Sequence, residues 1–117
     1  MLDITVSVLN GLAVVSLKGA LVRGQGSDHL TEVVEWLCEA GEGQIALHSA
    51  GVSAVDIHGL VTLLRCHASV SVSGGDFVIK MPSGPLSVAL RRTGLDAFLQ
   101  IEDGRSPDPG YASGGEA

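Results

Sequence analysis

Three residues in the middle of the chain have types that can do chemistry: His48, and the pair Asp56 and His58 within the run Ala54-Val55-Asp56-Ile57-His58-Gly59-Leu60. An imidazole can ligate a metal or move a proton and a carboxylate can ligate or act as a base, so together they would suit a metal-dependent hydrolase. Their spacing argues against that reading. Asp56 and His58 stand two apart at the expected start of a helix, where side chains diverge by about 200°. Asp56 fits better as the helix N-cap, its carboxylate accepting from the first-turn N–H groups and stabilised by the helix dipole. Cys38 and Cys66 lack CxxC spacing and stand among apolar neighbours, where a thiol packs as a small hydrophobe. No glycine-rich phosphate-binding run is present, so neither a cofactor nor a metal is expected.

The elements that must position these residues belong to a chain of 117 residues, enough for one compact domain. Apolar residues make up 45% but aromatics only 3%, so the core must be built from Val, Leu, Ile and Ala. Seven Lys and Arg against 13 Asp and Glu give a net charge of −6 with no basic stripe, which excludes a nucleic-acid partner. Mean hydropathy is +0.36, yet no apolar run approaches the roughly 20 residues needed to span a bilayer, so no membrane contact is expected. Two thiols outside any disulfide framework, with no secretory leader pattern, imply a cytoplasmic location.

The first segment alternates apolar and polar residues about Asn10-Gly11, the strongest two-residue hairpin signal, and predicts antiparallel strands over 3–9 and 12–18. Gly19 to Gly26 reads as a loop. A helix follows from an N-cap at Ser27 or Asp28, with Leu30, Val33, Val34 and Leu37 on its apolar face and Gly41 as its stop. Residues 44–47 form a short central strand. From Ile57 to about Ser71 a second helix places Ile57, Leu60, Val61, Leu64 and Ala68 on one face, with Asp56 as its cap. A strand over 76–81, a helix opened by Pro85, a last turn at Leu95 to Phe98 and an edge strand near Leu99 to Ile101 complete residues 1–102. Residues 103–117, rich in Gly, Pro and Ser, read as a disordered tail. Strands alternating with helices after a hairpin imply an α/β fold with a mixed sheet.

The hairpin with its Asn-Gly turn, the Gly19-Ala20-Leu21 step, the junction VSAVDIHGLVTLL, the Gly74-Gly75 turn and the segment PLSVALRRTGLDAFLQI together resemble the STAS domain of bacterial anti-sigma-factor antagonists. The same domain occurs in stressosome proteins, sulfate transporters and a lipid-transport complex. The resemblance spans about residues 3–101. It implies a mixed sheet of four to five strands, starting with an antiparallel hairpin and covered by about four helices.

In antagonists of this family the junction usually reads Asp-Ser-Ser-Gly, and the second Ser is phosphorylated by a kinase that doubles as the anti-sigma factor. Asp56 and Gly59 match that pattern, while Ile57 and His58 replace the two serines. His58 therefore stands at the phosphoacceptor position as a residue that cannot accept the usual serine phosphate. The family tends to carry acidic residues where this chain has Val22 and His48. The resemblance implies a non-catalytic binding module whose docking rim comprises Leu21, Val22, Arg23, His48, Ile57, His58, Gly59 and Thr62. The implied partner is an anti-sigma factor or serine kinase-type regulator, with a homodimer among the allowed states. Alternatives are a STAS subunit of a lipid-transport ATPase complex, a scaffold subunit of a stressosome-like assembly, or a metal enzyme using His48, Asp56 and His58.

Overall fold

The computed structural model describes residues 2–102. In chain order these form β1 (Leu2–Leu9), β2 (Leu12–Leu21), α1 (Gln25–Glu39), β3 (Gln44–Val55), α2 (Ile57–Val72), β4 (Asp76–Lys80), α3 (Gly84–Thr93), α4 (Leu95–Phe98) and β5 (Gln100–Glu102). The five strands make one mixed sheet in the order β1-β2-β3-β4-β5. Only β1 and β2 are antiparallel, and the remaining neighbours run parallel. The expected tail over 103–117 lies outside the described residues.

The hairpin forms as its sequence predicts. Asn10 and Gly11 both adopt positive φ, 53° and 80°, which matches the right-handed twist of the flanking strands and pairs Leu9 with Leu12. Period-two alternation then sends Ala13, Val15 and Leu17 to one face of β2, continued by Ile45 and Leu47 on β3 and by Phe77 and Ile79 on β4. On that face α1 contributes Leu30, Val34 and Leu37, α2 contributes Leu60, Leu63, Cys66 and Val70, and α3 contributes Leu86 and Leu90. All are essentially removed from solvent, and at about 25 cal/mol per Å2 their burial is the main stabilising term. The opposite face presents Thr5, Lys18, Gln44, Asp76 and Gln100 to solvent.

Three local expectations are corrected. First, β3 does not end near residue 47 but continues to Val55, pairing with β2 as far as Leu21 through two register shifts that let its small residues follow the bend. Second, α1 is capped by Gly24, with no side-chain bond to its first turn; Ser27 is buried, and its hydroxyl donates to the Val22 carbonyl at 2.6 Å, closing the β2–α1 loop. Third, the buried stripe of α2 runs through Leu60, Leu63, Cys66 and Val70, while Ile57, Val61 and Ala68 are exposed. The helix is apolar nearly all round in its first half, so residue type alone leaves its rotation open.

Candidate functional site

The site is built where β2 and β3 end side by side and α2 begins. Asp56 is the N-cap of α2, as expected: its Oδ1 accepts from the backbone N–H of Gly59 at 2.8 Å. Its Oδ2 accepts from the backbone N–H of Arg23 at 3.1 Å, so one carboxylate ties the β2–α1 loop to the first turn of α2. The Asp56 N–H donates to the Leu21 carbonyl at 3.4 Å, adding a second link between the end of β2 with its loop and the start of α2. The Arg23 N–H, then the Gly59 N–H and the nearby His58 ring, favour the ionised form against partial desolvation and hold the Asp56 carboxyl below its ordinary value.

Gly59 is what permits this closeness. A Cβ at position 59 would overlap the Leu21 carbonyl oxygen and stand 3.0 Å from the Leu21 carbonyl carbon. The first turn of α2 therefore rests directly on the end of β2, which fixes the rotation of the helix. With Gly59 and Leu60 turned inward, Ile57 is left 71% exposed, Val61 follows one turn later on the same side at 39%, and His58 is half-buried beside them. Arg23 is exposed and Val22 half-buried on the adjoining loop.

The predicted rim thus divides into three groups. Val22 and Arg23 lie on the loop that Asp56 ties to the start of α2, where Ile57 is exposed and His58 half-buried. Leu21, Gly59 and Thr62 lie beneath them, all buried, and the Thr62 hydroxyl donates to the His58 carbonyl at 3.0 Å. His48 is not part of the rim: it sits in mid-strand, level with Ser16 on β2 and Lys80 on β4, with seven more residues of β3 before Asp56. At about 3.3 Å per residue that places it roughly 25 Å along the strand from Asp56. His48, Asp56 and His58 therefore cannot share an ion. Among the described residues no other group of three or more His, Cys, Asp or Glu could hold a metal either.

Val61 is the surface residue that sequence reasoning missed, having placed it on the core face. Its signal was present in the i, i+4 spacing from Ile57, but the helix phase needed the Gly59 contact. Among the described residues no helix is long and apolar enough to cross a membrane.

No family model matches the chain, and no curated protein matches it by sequence. Solved structures do match. A Thermotoga maritima protein described as an anti-sigma factor antagonist superposes with a TM-score of 0.77 at 21% identity, covering 86% of each chain. The unphosphorylated anti-sigma factor antagonist SpoIIAA gives 0.69 at 15%, over 88% of this chain and 90% of that one. An anti-sigma factor antagonist of Mycobacterium paratuberculosis gives 0.73 at 18%, over 93% and 90%. The mixed sheet with its leading hairpin and four helices is the STAS fold that these proteins share.

Proposed function

We propose that this protein is a non-catalytic, cytoplasmic STAS-type regulator that binds an anti-sigma factor or a serine kinase-type regulator through the surface made by Val22, Arg23, Ile57, His58 and Val61. The observation that carries the reading is the exposure of Ile57, 71%, at the head of a helix locked by Asp56 and Gly59. A large apolar side chain held rigidly at a strand-to-helix junction, with an imidazole next to it in the chain and Arg23 on the adjoining loop, has the composition of an interface core with a polar border. The fold shared with anti-sigma factor antagonists supports the class of partner.

Position 58 sets how such a complex would be regulated. A phosphoserine would bring about −1.5 to −2 charges to this surface and break or create contacts there. His58 has no hydroxyl, and the nearest buried one, Thr62, is engaged with the helix backbone. The complex is therefore not switched by serine phosphorylation at the helix start, and its occupancy follows the partner's abundance or state.

The test is affinity capture from the source cell with the wild-type domain beside an Ile57→Asp, His58→Asp double variant whose melting curve matches wild type. Retention of an anti-sigma-type kinase by wild type and its loss with the variant support the reading. Recovery of a lipid-transport ATPase or a large homologous assembly, or equal capture by the variant, overturns it.

A further inference from the structure

A second surface lies on the β1 side of β2; it shares Val22 and Arg23 with the α2 surface but none of its α2 residues, and it does not rest on that reading. Among the described residues β1 has a hydrogen-bonded neighbour on one side only, and its eight residues pair with β2 without a register shift. Its sequence LDITVSVL has no Lys, no Pro and no bulge to blunt the edge, and its one charged residue, Asp3, stands near the strand start. Half of its peptide groups consequently face outward as unpaired donors and acceptors. Val6 and Val8 are 36% and 48% exposed, so the strand offers apolar side chains as well as backbone.

Alongside the start of this strand runs a groove of about 890 Å3 between β1, the end of β2 and the first two turns of α1. Leu2, Ile4 and Val22 supply its apolar lining, and Asp3, Asp28 and Glu32 its charge, against the single guanidinium of Arg23. The imbalance extends past the groove. Together β1 and α1 hold five carboxylates (Asp3, Asp28, Glu32, Glu35 and Glu39) and no Lys or Arg. None of the five has a cation within 4.0 Å among the described residues, where the one ion pair is Lys80 with Glu102.

We infer that the free edge of β1 and the acidic groove beside it form a docking site for an extended, basic segment of a partner protein, which adds to the sheet as a sixth strand. Backbone bonds to the open edge would hold it, and alternate side chains would point to opposite faces of the extended sheet. On the helix-covered side, Lys or Arg at every second position would reach Asp28 and Glu32, with their alkyl stems over Ile4 and Val6. A second copy of this chain fits less well, because its own β1 and α1 would bring five further carboxylates against the first five.

The probe is a capped nine-residue peptide of alternating lysine and valine, titrated onto the full chain in 0.05 M salt while β1 amide hydrogen exchange is followed. The expected result is saturable binding with Kd below about 100 μM and slowed exchange at Thr5 to Val8. Charge reversal in a folded Asp28→Lys, Glu32→Lys variant weakens it about tenfold, as does 0.5 M salt. N-methylation of every second peptide residue abolishes binding in the phase whose N–H groups face β1. The Ile57→Asp, His58→Asp variant binds the peptide as wild type does, which separates this site from the α2 surface. The inference is overturned by no binding at 1 mM, by equal binding of an alternating glutamate and valine peptide, or by indifference to the charge reversal. Protection of β1 through dimer formation without peptide overturns it as well.

Discussion

Replacing Gly59 by Ala tests the junction directly. The new methyl group would overlap the Leu21 carbonyl oxygen and crowd the Leu21 Cγ at 3.1 Å, and Leu21 is fully buried, so neither side has room to yield. Overpacking of this kind costs up to about 3 kcal/mol. Against it stands the helix-propensity gain of Gly→Ala, at most about 1 kcal/mol. The balance is a loss of about 2 kcal/mol. With an unfolding entropy of about 2.1 cal/mol/K per residue over roughly 100 folded residues, that loss lowers Tm by about 10 °C. Differential scanning calorimetry reads this shift, and partner affinity should fall with it because the first turn carrying Ile57 and His58 is displaced. A Tm equal to or above wild type would refute the reasoning, since propensity would then outweigh the contact and the β2 end would have to be compliant.

Two further perturbations address buried groups. Burial, with smaller contributions from Glu35 and Cys38, pushes the Cys66 thiol up to about 12 from an ordinary 9.0. Above pH 9 the unfolded chain releases this proton and the folded one keeps it, so stability present below pH 9 is lost on the way to pH 12. By pH 10.5 the loss is about 2 kcal/mol, and in urea melts a Cys66→Ala variant, though weaker at pH 7, should lack that alkaline component. His67 has its Nδ1 buried with no hydrogen-bond partner among the described residues, while its ring meets Phe98 edge-on at 5.4 Å. His67→Phe keeps the aromatic contact and removes the orphaned nitrogen, so the urea midpoint should hold or rise by the equivalent of about 1 kcal/mol; a clear drop would show that the nitrogen is satisfied in solution.

The order of elements was legible because its signals are local. Asn10-Gly11 demanded positive φ, Pro85 opened α3, and Asp56 read as a cap because its carboxylate stands immediately before the periodic run from Ile57. What stayed hidden depends on tertiary contacts. The segment His48 to Ala54 is short of β-branched residues, and only its pairing with β2 makes it a strand, so His48 was placed at a strand end instead of mid-strand. Ser27 reads as a cap in sequence, but burial turned its hydroxyl to the Val22 carbonyl, and Gly24 took the position. The division of the rim into surface (Ile57, His58) and support (Leu21, Gly59, Thr62) required the phase of α2. That phase is set by a backbone contact 38 residues away in sequence, which no periodicity contains.

Strand order in the sheet is the same as strand order along the chain. No strand has to be inserted between two that have already paired, so the sheet can grow at one side as the polypeptide leaves the ribosome, each βα unit docking on the last. Such sequential growth keeps loop-closure costs small and favours rapid folding. It also means that β1, made first, has its outer edge uncovered from the moment the hairpin closes. A nascent chain would thus be open to capture at that edge before the α2 junction has been synthesised.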